Sequence, residues 1–165
     1  MIKYFKSRKV KSPVRAHSTD AGIDFMIPSF TNEFKNKLCE LNPHLFINDE
    51  IIKIGPNEKI LIPSGIHTKF DHTHALIAFN KSGVSSKLGI IAGAKVVDSD
   101  YTGEIHLSLI NTTTISVDLT YDQKIMQFIL MPIKLDMPVE INSLDELYSN
   151  TTSDRGTGGF GSSGN

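Results

Sequence analysis

Glu104-Ile105-His106-Leu107-Ser108-Leu109-Ile110 alternates, with Ile105, Leu107 and Leu109 on one side of an extended chain and His106, Ser108 and Ile110 on the other. Successive side chains of a strand point to opposite faces, so this spelling predicts a strand with one apolar face turned into a core. Working outward, similar segments recur at Ile51–Ile54, Lys59–Pro63, Gly65–Phe70, Ala75–Phe79, Gly89–Ile91, Ile115–Leu119 and Lys124–Met131. Turn chemistry separates them: Pro56-Asn57, Pro63-Ser64-Gly65 and Asn111-Thr112-Thr113. Short strands at this spacing predict an all-β barrel or sandwich rather than alternating strand and helix units.

Two stretches break the pattern. Asn32–Leu41 reads as a helix: Phe34, Leu38 and Leu41 share a face, Thr31 can cap it, Glu33 suits its first turn, and Pro43 stops it. Ser143 and Glu146 have the spacing of a capping box, which predicts a helical turn over Ser143–Tyr148 that leads into a polar, Gly-rich tail from Asn150. Ser82–Leu88 can form a further helical turn between strands.

Composition bounds the function. A chain of 165 residues supports one domain with a substantial core. With 17 basic and 18 acidic residues the formal charge is -1, so no global field favours long nucleic acid or an anionic membrane. Cys39 is the only cysteine, which excludes an intrachain disulfide and a cysteine-cluster zinc site. No 18-residue apolar run occurs, and the N-terminus lacks an apolar signal segment. The expected setting is therefore cytoplasmic or otherwise intracellular.

Chemistry gathers in five places. Val96-Val97-Asp98-Ser99-Asp100-Tyr101-Thr102-Gly103 carries an apolar strand into a carboxylate and an aromatic. Asp98, at the end of the apolar run, is the general-base candidate, because partial shielding would fix its charge and orient water; the same residues also suit a plain turn that caps its own backbone. Asn80-Lys81-Ser82-Gly83 can offer amides, a hydroxyl and a cation to phosphate, or simply turn the chain. Asp24 lies in an apolar, strand-like context and, if buried, requires a partner. Gln127, within Ile125–Ile129, needs partners if it points inward and none on a solvent-facing edge. The last eleven residues, Arg155 to Asn165, hold five glycines that cannot build a core. Arg155 suits phosphate and Phe160 a flat ring, whereas Gly161–Gly164 also fits a bland Gly/Ser tail.

Together these segments resemble the trimeric all-β dUTP diphosphatases, the dUTPases. The resemblance runs through five ordered motifs: Ala21-Gly22-Ile23-Asp24-Phe25, Lys81-Ser82-Gly83-Val84, Val97-Asp98-Ser99-Asp100-Tyr101-Thr102-Gly103, Lys124-Ile125-Met126-Gln127-Phe128, and Arg155-Gly156-Thr157-Gly158-Gly159-Phe160-Gly161-Ser162. It implies a jelly-roll-like distorted β-barrel over residues 1–149, with a short helix in an insertion and a flexible arm over 150–165. It implies a homotrimer with sites at subunit interfaces, where two subunits form each pocket and the third lends its tail. The implied reaction is hydrolysis of dUTP to dUMP and pyrophosphate, which limits uracil incorporation into DNA and supplies dUMP for thymidylate synthesis.

By the same resemblance Asp98 activates water for attack on the α-phosphorus, and Tyr101 packs on deoxyribose and disfavours a 2′-hydroxyl. Backbone groups in the Ile91–Val97 region, Ala94 and Val97 among them, read the uracil edge. Lys81, Ser82, Gly83 and Gln127 contact the phosphate chain. Asp24 holds a water of a Mg²⁺ chelated by the triphosphate. Arg155, Ser162 and Ser163 clamp the distal phosphates with Gly161 beside them, and Phe160 covers the uracil. The expected partners are dUTP and further copies of the chain; neither nucleic acid nor membrane is expected.

The chain departs from the family pattern at Lys81, where arginine is common, at Asn80, where proline is common, and at Lys95, where glycine is common. Lysine keeps the charge but loses the bidentate fork. The Phe30–Asn48 stretch is longer than in compact members, and its Phe34/Leu38/Leu41 face either packs on the barrel or meets a partner. Two other activities suit much of the same sequence: deamination of dCTP, and nucleotide binding without turnover by a regulatory trimer.

Overall fold

All eight strand segments read from the sequence are strands in the computed structural model, which describes residues 1–154 and 156–158. In chain order the strands are β1 (Lys3–Lys6), β2 (Ile23–Met26), β3 (Phe46–Ile47), β4 (Ile51–Ile54), β5 (Lys59–Pro63), β6 (Ile66–Lys69), β7 (His74–Asn80), β8 (Ile90–Ala92), β9 (Val96–Val97), β10 (His106–Asn111), β11 (Val117–Thr120) and β12 (Lys124–Pro132). The helices are α1 (Asn32–Leu41), α2 (Ser82–Leu88) and α3 (Leu144–Leu147). Every pairing is antiparallel, in four small sheets ordered β1-β6, β5-β10-β8, β11-β4-β3 and β2-β12-β7-β9. The sheets do not close into one barrel; the result is a distorted jelly roll.

Ile105, Leu107 and Leu109 are buried as the alternation requires, and they join Ile52, Ile54, Ile60, Ile62 and Leu76 in one core. Phe25 and Phe128 pack in that core with ring centres 4.5 Å apart. Ser108, on the opposite face, is buried too, because β10 is a central strand and Gly93 lies against it. Its carbonyl accepts from the Gly93 N–H at 2.9 Å.

At three strand starts that differ from the expected ones, glycine backbone or local hydrogen bonds account for the shift. Gly65 and Gly89 adopt left-handed backbone, with φ of 74° and 63°, and so fall outside β6 and β8. Gly89 ends α2, and a side chain there would run into Thr113. The Ile115 carbonyl is taken by Asn111 Nδ2 at 2.8 Å and Thr113 Oγ1 at 2.9 Å, which delays β11 to Val117.

Thr31 caps α1 by accepting from the Phe34 N–H at 3.2 Å, and Phe34 and Leu38 are fully buried while Leu41 is half-buried. Asn42 then locks the helix end to β5, donating to the Leu61 carbonyl at 2.8 Å and accepting from the Leu61 N–H at 2.9 Å. Of the two roles open to this face, packing on the sheets is the one observed. The chain divides into two units, residues 1–134 and residues 135–165. Within the second, Ser143 caps α3 by accepting from the Glu146 N–H at 3.1 Å.

Candidate active site

Past Gly93 the chain leaves β10. The Lys95 carbonyl accepts from the Ala78 N–H at 2.7 Å, and Val96 and Val97 pair with Ile77 and Leu76 of β7. This detour opens a cavity of about 190 Å³ between β9 and the start of β10. Ala94, Val97, Asp98 and Tyr101 line it, and Lys95, Val96, Ile105, His106 and Phe128 complete the wall. Its walls are mostly apolar, with one acid on the rim, which suits a flat ring followed by a hydrolysable group.

Asp98 corrects one expectation. The apolar run before it suggested shielding, yet Asp98 is exposed, because β9 is a two-residue strand at a sheet edge and no described residue covers it. Its carboxylate takes no hydrogen bond among the described residues; its backbone carbonyl accepts from the Tyr101 N–H at 3.2 Å. Tyr101 is folded over Gly103, where a Cβ would strike the phenol ring, and its hydroxyl donates to the Glu104 carbonyl at 3.0 Å.

A second group lies at the far end of the same sheet. Asp24 on β2 is buried and ion-paired on both oxygens, to Lys81 on one and to Lys124 on the other at 3.1 Å. The buried carboxylate therefore has the cations that burial demands. Gln127 is on an inner strand, not an edge; its amide donates to the Asn80 carbonyl at 2.8 Å and fills the space that a side chain at Gly22 would take. Asn80 Oδ1 accepts from the Ala92 N–H at 2.7 Å, tying the end of β7 to β8. Ser82 and Gly83 open α2, both exposed, with Lys81 as the capping residue and open space over Gly83. Arg155, Phe160, Gly161, Ser162 and Ser163 lie outside the described residues.

The two groups do not meet in one chain. Val97 is opposite Leu76, and Lys81 follows Leu76 by five residues, so their backbones are roughly 16 Å apart at the rise of a strand. The Lys81 ammonium moreover turns to Asp24 on the opposite edge strand of the four-stranded sheet.

The sequence reading missed four residues around these groups. Lys124 is signalled only as the first residue of the Lys124–Phe128 motif. His106 is the one ionisable side chain of its alternating strand; its Nε2 is buried without a partner among the described residues. Arg8 and Glu104, 96 positions apart, form a bidentate pair at 2.9 and 3.1 Å that sequence spacing cannot announce. The Gly65 N–H also donates to Glu104 Oε1 at 2.6 Å, and Glu33 accepts from Arg8 Nη1 at 2.8 Å.

Burial by itself would push the Glu104 carboxyl up, but the Arg8 fork and the Gly65 N–H outweigh it and hold Glu104 below the usual glutamate range. A carboxyl lowered in the fold stabilises it above the unfolded pKa, about 4.3, and that contribution fades as pH falls through the folded value. Glu104→Gln should therefore cost about 1.5–3 kcal/mol at pH 7, the range for a hydrogen bond to a charged group, and its stability should fall less steeply below pH 4 than that of the native chain. Urea melts at pH 7 and pH 3.5 measure both effects.

A jelly roll carrying an apolar, acid-rimmed pocket and a lysine-flanked corner on one sheet has the frame of an all-β protein that handles nucleotides. The sequence model of the dUTPase family matches residues 45–164, well over half of the chain. The deoxyuridine 5′-triphosphate nucleotidohydrolase of Mycolicibacterium gilvum (strain PYR-GCK) is 30% identical over 156 residues, covering 92% of this chain and 86% of the relative. That of Paraburkholderia phytofirmans is 35% identical over 120 residues, covering 70% and 76%. Among solved structures, the Staphylococcus bacteriophage 80alpha dUTPase with dUPNHPP superposes with a TM-score of 0.76 at 20% identity, covering 99% of this chain and 98% of that one. Native EIAV dUTPase gives 0.62 at 19%, covering 87% and 98%. The chain belongs to the dUTPase family.

Proposed function

We infer that the chain is a dUTP diphosphatase, hydrolysing dUTP to dUMP and pyrophosphate. The observation that carries this reading is the cavity in which Asp98, Tyr101 and the Ala94–Val97 backbone converge, in a chain of this family. Uracil enters between β9 and β10, where Ala94 and Val97 offer backbone groups to its edge. Tyr101 lies against the deoxyribose. Asp98 orients a water and accepts its proton as the oxygen attacks the α-phosphorus; the α–β bridging oxygen leaves with pyrophosphate. The exposure of Asp98 in the single chain matters here, since a base must reach bulk water before the site closes.

Lys81, Ser82, Gly83 and Gln127 bind the phosphates in this proposal, and they do so from another copy. A water poised on Asp98 must approach phosphorus to about 3–3.5 Å, whereas Lys81 of the same chain is turned to the far edge of the sheet. A homotrimer with composite sites removes the conflict. The run Ile133-Lys134-Leu135-Asp136-Met137-Pro138-Val139-Glu140-Ile141 adds support, because its alternating apolar side chains are exposed, Met137 at 84% and Val139 at 77%. The arm, residues 150–165, then closes over the nucleotide with Arg155, Gly161, Ser162 and Ser163 at the phosphates and Phe160 on the uracil.

Mg²⁺ fits this site as a companion of the substrate. Among the described residues no group of three His, Cys, Asp or Glu side chains could hold a metal, and Mg²⁺ is commonly held by phosphates, waters and one or two carboxylates. Asp24 is the carboxylate that would anchor a water of its shell, with Lys81 moving from Asp24 to the phosphates. Bound there, the ion neutralises charge building on the phosphates.

Incubation of the purified chain with each common dNTP and Mg²⁺ tests the reading. The expected result is dUMP and pyrophosphate from dUTP, with the other nucleotides at least about 100-fold slower, as for a site whose buried polar groups match one base. Ammonia release from dCTP would replace it with deamination, and tight dUTP binding without pyrophosphate release would replace it with a regulatory role. No described helix is long and apolar enough to cross a membrane.

A further inference from the structure

The Arg8–Glu104 pair is far more enclosed than a surface ion pair, with side chains only 11% and 12% exposed. Glu104 is the residue at which three parts of the chain meet. Its carboxylate takes the Arg8 fork from the N-terminal segment and the Gly65 N–H from the turn before β6. Its backbone carbonyl takes the Tyr101 hydroxyl at 3.0 Å, and the Tyr101 N–H returns to the Asp98 carbonyl at 3.2 Å. Gly103 lets the phenol lie flat on the turn, since any side chain there would lift it away. Tyr101 is half in solvent and makes no other side-chain hydrogen bond among the described residues, so the Glu104 carbonyl is what fixes its ring.

We propose that Arg8 and Glu104 are positioning residues for sugar discrimination: by clamping the turn after Asp98 they hold the Tyr101 ring where it meets the 2′ position of the nucleotide. The proposal rests on the reading that Tyr101 packs against the deoxyribose. A bidentate guanidinium–carboxylate pair is suited to the task because it fixes direction as well as distance, and lysine at position 8 would keep the charge without the fork. Burial makes the clamp stiff, since neither partner has water to replace the other. Asp98 precedes the clamped turn and, among the described residues, hydrogen-bonds to it only through its backbone carbonyl, so loosening the turn changes which sugar is accepted more than it changes the base.

The test is the ratio of kcat/KM for dUTP over UTP in five variants of the full chain, with thermal melting and light scattering to confirm fold and assembly. Tyr101→Phe, an exposed change that removes only the hydroxyl, should lower the ratio roughly 5- to 10-fold, the equivalent of one hydrogen bond. Arg8→Ala should lower it by a similar factor through KM for UTP, with kcat for dUTP reduced less, and Arg8→Lys should fall between Arg8→Ala and the native chain. Arg8→Ala/Tyr101→Phe should be no worse than either single change, because both act on one element. An unchanged ratio in Arg8→Ala, or factors that multiply in the double variant, overturns the proposal. Tyr101→Ala separates the two readings: if removing the ring leaves the ratio intact, the sugar role of Tyr101 fails, whereas a relaxed ratio there with no effect of Arg8→Ala defeats the clamp alone.

Discussion

Asp98→Asn is expected to lower kcat for dUTP at least roughly 100-fold, the usual contribution of a positioned general base, while KM changes little. The amide keeps the shape of the carboxylate and still accepts a hydrogen bond from water, but it cannot take the proton that water must lose on attacking phosphorus. Because Asp98 is exposed and its carboxylate takes no hydrogen bond among the described residues, the change leaves no buried group unsatisfied and should shift the melting temperature by no more than a surface substitution does. A kinetic loss without a stability loss is the signature of a group that acts only on the reaction. Turnover within a few fold of the native chain, with the fold confirmed, would falsify the assignment of Asp98 as the base.

The exposure of Asp98 also shows what the sequence could and could not convey. Strands were legible wherever apolar residues alternate within one segment, as at Ile105, Leu107 and Leu109, because that pattern is set by strand geometry alone. β1 went unread: all four of its residues are exposed, and it pairs with β6 at the margin of the fold, so no burial pattern marks it. β3, two residues long, has the same difficulty. Ile23–Met26 and Val96–Val97 read only as strand-like stretches, because each is too short for a period to declare itself.

Site residues were legible through ordered motifs rather than through spacing. The partners of those residues were not. Nothing in the sequence says that Lys124 faces Asp24 or that Arg8 reaches Glu104, since both are long-range pairings made by topology. Shielding of Asp98 was inferred from the valines before it, but those valines belong to an edge strand whose outer side is open in one chain.

That open edge leads to the second large effect, a gain. Asp98→Asn and Lys81→Ala chains, each poorly active alone, should recover about one third of native activity when co-expressed with separable tags and purified as mixed trimers. Lys81→Ala by itself should cost roughly 10- to 100-fold, the loss of a charge-assisted contact to phosphate. In a composite site Asp98 comes from one copy and Lys81 from its neighbour, so each intact site needs one chain of each kind in a fixed order. Every mixed ring of three, whichever kind is in the majority, has one neighbouring pair in that order, so about one site in three is intact. If one chain supplied both groups, every site in every mixture would carry a defect and no mixing ratio would raise activity above the parents. The sheet geometry favours recovery, because Asp98 follows the strand at one edge while the Lys81 ammonium is paired with Asp24 at the other. Activity that stays at the parental level in verified mixed trimers would place the phosphate contacts and the base in one chain, and Lys81 would then have to swing away from Asp24 and across the sheet to reach the nucleotide.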